Sequence, residues 1–280
     1  MEPVLFYGVP HGCSFGSIVA LEWLGRPYRL CRIEMPLETG ERTYVRLNPA
    51  RQTPTLLLED GRALSESLAI LQHLAARDLC RKLGYPQGSA EFDELNFALA
   101  LLHTECHSAW GALFYLEDAD ATTTARALTR AARAYGRIDK LLGDRKWLAG
   151  EGPSVADAYL AGTARWGREL GYFDLQHDFP RLHRHLEKLE QDPAVRFAHA
   201  IEDRLPAQSC GGVQGRGDTG RSGEPPARLK SASASAGPAT VTCPWLRAGA
   251  PPARPRPATD RRPGSGLRRW RRARPGVRPG

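Results

Sequence analysis

The chain reads VLFYGVPHGCSF at residues 4–15, where a short apolar run breaks at Pro10 and Gly12 and leads to a cysteine. An apolar run bounded by Gly and Pro is typical of a buried strand. The apolar residues that follow recur at helical spacing as far as Gly25. The stretch therefore predicts a strand, a tight loop and a helix, with Cys13 in the first turn of that helix.

The next segments extend this unit to about residue 77. Residues 28–33 alternate apolar and polar side chains as a half-buried strand does, and a weak helical pattern precedes Pro49. Asp60-Gly61 between two apolar runs indicates a tight antiparallel hairpin. Ser65 is predicted to cap another helix. The order βαβαββα predicts a thioredoxin-like N-terminal domain over residues 1–77.

The second half of the chain has a different pattern. Residues 78–89 contain two glycines and a proline and are predicted to be a linker. Residues 90–205 carry Ala-, Leu- and Arg-rich segments with helical periodicity, interrupted near residues 118–124, 150–153 and 178–180. They predict an all-helical C-terminal domain of about five helices. The fold class is therefore an α+β domain followed by an α domain.

Residues 206–280 form a tail of distinct composition, with 14 Arg and one Lys against three acidic residues. The tail is rich in Pro, Gly and Ser and poor in large aliphatic residues, so it is predicted to be disordered. Residues 1–205 carry 24 basic and 28 acidic residues, and we expect no nucleic-acid surface on them. Weak, salt-dependent association of the tail with nucleic acid is one hypothesis, and a tail without function is the other.

The apolar runs and the cysteines bear on location. No run of about 20 apolar residues and no basic segment followed by an apolar one is present, so we predict neither a membrane span nor a signal peptide, and a cytoplasmic protein. Six irregularly spaced cysteines fit a reducing compartment. His103 and His107 have the spacing of a two-histidine metal site, but no third ligand is evident, so no metal is predicted.

Cys13 is the candidate nucleophile. A helix N-terminus carries partial positive charge, which favours thiolate over thiol and lowers the pKa of a cysteine. Two alternatives exist for His11, two residues earlier: it raises the thiolate fraction further, or it is a solvated loop histidine, which is the more frequent case. The sequence therefore predicts a thiol that is reactive at neutral pH.

A ligand site is predicted beside this thiol. Thr53-Pro54 precedes a strand, where a cis bond can hold the Thr53 backbone exposed for pairing with a peptide bond. Glu66-Ser67 begins the next helix, whose free N–H groups suit a carboxylate. Ser67 would hold a terminal carboxylate and Glu66 would face an α-ammonium. Together these residues predict a site for a small extended peptide.

These motifs occur in an order that resembles the cytosolic glutathione S-transferases across residues 4–205. The matching signals are Gln52-Thr53-Pro54, Glu66-Ser67, and Ser154-Val155-Ala156-Asp157-Ala158-Tyr159, in which Ser154 and Asp157 can exchange N-cap hydrogen bonds. Within the superfamily the chain looks most like the bacterial beta class, through Cys13-Ser14, Thr104-Glu105-Cys106-His107 and the aromatic run after them.

The resemblance implies a homodimer that takes glutathione as co-substrate. It implies Cys13 and His107 as catalytic residues that approach the glutathione sulfur. The residues implied to bind glutathione are Ser14, Gln52, Thr53, Pro54, Glu66, Ser67 and Glu105. The electrophile cleft is expected to contain Tyr7, His11, Trp110 and Trp166.

The implied reaction is conjugation of glutathione thiolate to a small electrophile. One alternative is glutathione-dependent thiol-disulfide exchange, in which Cys13 forms a mixed disulfide. A second alternative is a noncatalytic glutathione-binding module. Tyr7 is the alternative thiol-activating residue, because other classes of the family place a tyrosine at the end of the first strand.

Overall fold

The computed structural model describes residues 2–81, 83–115 and 120–211. The predicted break at residues 118–124 lies partly outside these ranges. The tail predicted to be disordered lies outside them from residue 212 onward.

Four strands form the sheet: β1 (Val4–Val9), β2 (Arg29–Glu34), β3 (Thr55–Leu57) and β4 (Ala63–Ser65). Their order across the sheet is β2-β1-β3-β4. β1 pairs with β2 in parallel, whereas β1–β3 and β3–β4 are antiparallel. Asp60-Gly61 turns the predicted hairpin between β3 and β4, with Gly61 at a φ of 88° that glycine adopts without strain.

Three helices complete this layer: α1 (Phe15–Leu24), α2 (Arg42–Leu47) and α3 (Ser67–Ala75). The predicted βαβαββα order is confirmed. Two local expectations were wrong. Ser65 closes β4 and Glu66 is the N-cap of α3, while α1 begins at Phe15, so Cys13 precedes the helix instead of lying in its first turn.

The rest of the described chain is helical, as predicted. Its helices are α4 (Ala90–Leu101), α5 (Ser108–Tyr115), α6 (Ala121–Leu142), α7 (Val155–Ala164), α8 (Trp166–Glu169), α9 (Leu175–Asp178), α10 (Pro180–Glu190) and α11 (Pro193–Glu202). A π-helical turn at Leu102–His107 joins α4 to α5. Eight helices are described where about five were expected, and two of the additional ones, α8 and α9, are single turns too short to show periodicity. The predicted domain boundaries remain predictions.

One hydrophobic core runs through both layers. α1 packs against α7 and α11, and every residue of α7 is buried. The backbones of α1 and α7 approach closely, since a Cβ at Gly16 would lie 2.7 Å from the Ala158 carbonyl oxygen. α7 is therefore held rigidly against the start of α1, beside Cys13. None of the described helices is long and apolar enough to cross a membrane.

Candidate active site

A cleft of about 1010 Å³ lies between the loops of the sheet layer and the α4–α5 run. Many of the residues predicted for the site line it. They are His11, Cys13, Gln52, Thr53, Pro54, Glu66, Ser67, His107 and Trp166. The topology accounts for this convergence, because the loop after β1, the segment before β3 and the start of α3 lie at one end of the sheet.

Ser14 and Tyr7 do not line the cleft, contrary to their predicted roles. Ser14 is fully buried, and its Oγ accepts the Gly8 N–H at 2.9 Å, which holds the loop after β1 closed. Tyr7 is buried, and its hydroxyl interacts with Arg32. Burial raises the pKa of Tyr7 to about 12, so this phenol is not readily ionised.

Glu105 and Trp110 also lie outside the cleft lining. The Glu105 carboxylate forms an ion pair with Arg137 on the outer face of the helices. Trp110 is fully buried and packs edge-on against Trp166, with ring centroids 6.2 Å apart. Trp110 therefore supports the cleft wall from behind.

The surroundings of Cys13 favour its protonated thiol, contrary to the predicted reactive thiolate. Its Sγ donates to the Thr53 carbonyl oxygen at 3.3 Å. Burial raises the pKa of Cys13 to about 11, and the nearby Ser67 hydroxyl only partly offsets this. Glu66 and Glu202 raise it further. Desolvation therefore outweighs the influence of the α1 N-terminus, which starts two residues later.

The segment before β3 presents the Thr53 backbone to the cleft. The Thr53–Pro54 bond is cis, as predicted. The Gln52 carbonyl accepts from Tyr44 Oη at 2.5 Å and from Asn48 Nδ2 at 2.8 Å. Among the described residues the Thr53 N–H has no acceptor. Tyr44 and Asn48 thus hold the Gln52 backbone in place, and Asn48 also lines the cleft. The only sequence signal for this role was the break at Asn48-Pro49.

Glu66 and Ser67 line the cleft where α3 begins. Glu66 has a φ of 72°, which a non-glycine residue rarely adopts and which is often found at functional sites. Ser67 is the first residue of α3 and is buried. Its hydroxyl has no hydrogen-bond partner in the described part of the chain. A buried unpaired hydroxyl beside free helix N–H groups suits a carboxylate.

The opposite wall carries a polar cluster of His103, His107 and Tyr159. Tyr159 Oη lies 2.7 Å from His107 Nδ1 and 3.1 Å from His103 Nδ1. Burial, and secondarily His103, lowers the pKa of His107 to about 4. The sequence motifs predict a site role for His107 but none for His103 or Tyr159. Their only signals were the four-residue histidine spacing and the last position of the α7 motif.

The remaining wall is aromatic. Trp166 lies 5.5 Å from the His107 ring, and Phe114 lies 4.9 Å from Trp166, as measured between ring centroids. His11 lines the cleft but pairs with Glu169 at 3.5 Å, and no bond joins it to Cys13. The described residues contain no group of three or more His, Cys, Asp or Glu side chains arranged to hold a metal ion.

Comparisons with known proteins identify the family. The model of the glutathione S-transferase N-terminal domain matches residues 13–77, and that of the C-terminal domain matches residues 103–193. Glutathione S-transferase GstA of Escherichia coli O157:H7 is 32% identical over 197 residues, which cover 68% of this chain and 96% of GstA. The chain belongs to the glutathione S-transferase family.

Solved structures share the fold of this transferase. The bacterial beta class glutathione S-transferase of Sphingomonas chungbukensis is 29% identical, with a TM-score of 0.64 over 71% of this chain and 98% of its own. A sphingomonad glutathione S-transferase complexed with glutathione is 28% identical, with a TM-score of 0.64 and the same coverage. The resemblance to the family is thereby confirmed, and its structural relatives include a beta-class enzyme.

Proposed function

We propose that the cleft of this transferase binds glutathione. The Thr53 N–H would pair with the peptide backbone, and Ser67 and the α3 N-terminus would hold the γ-glutamyl carboxylate. Glu66 would face the α-ammonium. The unpaired Ser67 hydroxyl and the unpaired Thr53 N–H support this assignment, because each is a donor without a protein acceptor among the described residues.

The reaction proposed is conjugation. Its main support is the neutral Cys13 thiol, which donates to Thr53 O. With a pKa of about 11, only about one molecule in ten thousand carries a Cys13 thiolate at pH 7. Cys13 is then a poor attacking group in the free protein, which argues against disulfide exchange as the main activity.

The nucleophile would be the glutathione sulfur. His107 has its Nδ1 engaged by Tyr159, while its Nε2 has no hydrogen-bond partner among the described residues. A neutral imidazole can accept the thiol proton at Nε2 as the sulfur attacks the electrophile. The sulfur–carbon bond forms, and the leaving group departs with the electron pair of the bond that breaks. The apolar wall of Trp166 and Phe114 suits an electrophile with an aromatic or apolar body.

The experiment compares the two chemistries in wild type and Cys13→Ala. Conjugation of glutathione to 1-chloro-2,4-dinitrobenzene and glutathione-dependent reduction of 2-hydroxyethyl disulfide are measured side by side. Conjugation by wild type that persists within about tenfold in Cys13→Ala supports the proposal. Disulfide reduction that disappears in Cys13→Ala, without conjugation in wild type, would favour exchange instead.

The second alternative, a noncatalytic glutathione-binding module, predicts a different result. Glutathione binding by calorimetry without turnover in either assay would support it. Incubation with oxidised glutathione followed by intact-mass measurement adds a check, since a neutral Cys13 should gain a glutathionyl group only slowly at pH 7.

Homodimer formation, a cytoplasmic location and a role in detoxification belong to the same proposal and rest on the family relationship. Light scattering tests the first. A particle of twice the 30.8 kDa chain mass is expected, and a monomer at micromolar concentration would refute the dimer.

A further inference from the structure

The Tyr159 hydroxyl lies between two imidazoles on the cleft wall. Its oxygen is 2.7 Å from His107 Nδ1 and 3.1 Å from His103 Nδ1, so both contacts are hydrogen bonds. Both histidines line the cleft and both are half-buried. The π-helical turn at Leu102–His107 brings the two rings to the same hydroxyl. Such π turns are frequent at functional sites.

The number of protons in this cluster limits the tautomers that its two imidazoles can adopt. A phenol hydroxyl has one proton, so Tyr159 donates to one Nδ1 and accepts from the other. The imidazole that receives the phenol proton then carries its own proton on Nε2. The imidazole that donates from Nδ1 has a bare, basic Nε2. The two histidines therefore hold complementary tautomers, and a shift of the Tyr159 proton interchanges them.

The surroundings keep Tyr159 and His107 neutral. Burial raises the pKa of Tyr159 well above its ordinary value, and Cys13, Cys106 and Glu66 raise it further. His107 packs against Trp166 and is desolvated. The Tyr159 hydroxyl is therefore not ionised at neutral pH. It can still accept a proton from one imidazole while it donates its own proton to the other.

We propose that Tyr159 and His103 form a proton relay that carries the glutathione thiol proton away from His107, an inference that rests on the proposed function. At the start, His107 Nδ1–H donates to Tyr159, and Tyr159 donates to His103 Nδ1. His107 Nε2 takes the thiol proton and its Nδ1 proton moves to the Tyr159 oxygen. The Tyr159 proton moves to His103 Nδ1, and His103 releases its Nε2 proton to water in the cleft.

The relay ends in the complementary arrangement. His107 now carries its proton on Nε2, where it donates a hydrogen bond to the glutathione thiolate. No charge remains on either imidazole, and one proton has left the site. Tyr159 and His103 are thus positioning and proton-transfer residues that act through His107.

The first test measures the tautomers directly by nitrogen-15 NMR of the imidazoles in the full chain at pH 7. The expected result is one Nδ1–H and one Nε2–H imidazole for His103 and His107, or averaged shifts midway between the two forms. Tyr159→Phe should abolish this pairing. Two Nε2–H tautomers in the wild type would overturn the proposal, because a single hydroxyl proton cannot then serve both bonds.

The second test measures proton transfer during conjugation of 1-chloro-2,4-dinitrobenzene. Tyr159→Phe and His103→Gln should each lower kcat about tenfold with the KM for glutathione little changed. In mixtures of light and heavy water, the dependence of kcat on the fraction of heavy water should indicate that several protons are transferred together in the wild type. For Tyr159→Phe it should indicate the transfer of one proton. Added imidazole should restore part of the lost rate in His103→Gln.

Tyr85→Phe is the matched control, because the Tyr85 hydroxyl is buried without a partner among the described residues and lies outside the cleft lining. Unchanged kcat and isotope dependence in both Tyr159→Phe and His103→Gln would overturn the relay. A wild type that fails to conjugate at all would refute the proposed function instead. The tautomer measurement would then still decide whether Tyr159 couples the two histidines.

Discussion

Asp157 is the residue whose replacement should cost the described fold most. Its side chain is completely buried and receives four hydrogen bonds. Oδ2 accepts from the Ser154 N–H and hydroxyl, at 3.0 and 2.9 Å. Oδ1 accepts from the Leu148 N–H at 3.1 Å and pairs with His185 Nε2 at 2.9 Å. The carboxylate thus joins the start of α7 to the preceding loop and to α10.

Asp157→Asn keeps the shape but turns one oxygen into an N–H donor. Whichever way the amide is oriented, a backbone N–H faces that donor, either from Ser154 or from Leu148. Each carboxylate oxygen accepts two hydrogen bonds, and each bond to a charged group contributes about 1.5–3 kcal/mol, so the loss of two predicts a destabilisation of about 3–6 kcal/mol. For a chain of this size that lowers Tm by roughly 6–24 °C.

The assay is urea unfolding of the full chain, followed by tryptophan fluorescence. Asp174→Asn is the matched control, because Asp174 caps α9 through a single bond to the His177 N–H at 3.2 Å on the exposed surface. That variant should lose well under about 1 kcal/mol, because Asn caps a helix about as well as Asp. If the free energy of unfolding of Asp157→Asn lies within 1 kcal/mol of the wild-type value, the hydrogen bonds to this carboxylate do not stabilise the fold to the expected extent.

Three shorter predictions concern the cleft. His107 has a pKa of about 4 in the folded protein, against about 6.5 when unfolded, so the unfolded state binds more protons between these values. The free energy of unfolding should fall by up to about 3 kcal/mol as pH drops from about 6.5 to 4, and His107→Asn should remove that pH dependence. An unchanged pH dependence in His107→Asn would show that His107 does not cause it. Ser67→Ala should weaken glutathione binding about tenfold by calorimetry while leaving Tm unchanged, since its hydroxyl has no partner to lose among the described residues. Asn48→Ala should raise the KM for glutathione about fivefold, because Gln52 loses one of its two supporting bonds; an unaltered KM together with an unaltered Tm would show that this support is not needed.

Several site features were predictable because they depend on neighbours in sequence. The cis Thr53-Pro54 bond, the hairpin at Asp60-Gly61 and the capping box of Ser154 with Asp157 follow from local backbone preferences and were confirmed. The order of strands and helices followed from hydrophobic periodicity in the same way.

The surroundings of the Tyr7 side chain could not be predicted in this way. A strand residue points to one face or the other, but which charged groups cover that face depends on packing. The Tyr7 hydroxyl interacts with Arg32, its neighbour across the β1–β2 pair, and Tyr7 does not line the cleft. Trp110 was misplaced for a similar reason, because helical periodicity does not distinguish a residue on the cleft surface from one a layer behind it.

The sequence by itself determined the thioredoxin-like and helical layers and the positions along the chain of the loops that line the cleft, because these arise from interactions within a few residues. Only the tertiary structure decided the chemistry of the thiol and the histidines. The pKa of Cys13 depends on desolvation by groups from other elements, and that burial outweighs the helix N-terminus next to it in sequence. Tyr159 meets His103 and His107 only because α7 packs against the π-helical turn, more than 50 residues away along the chain.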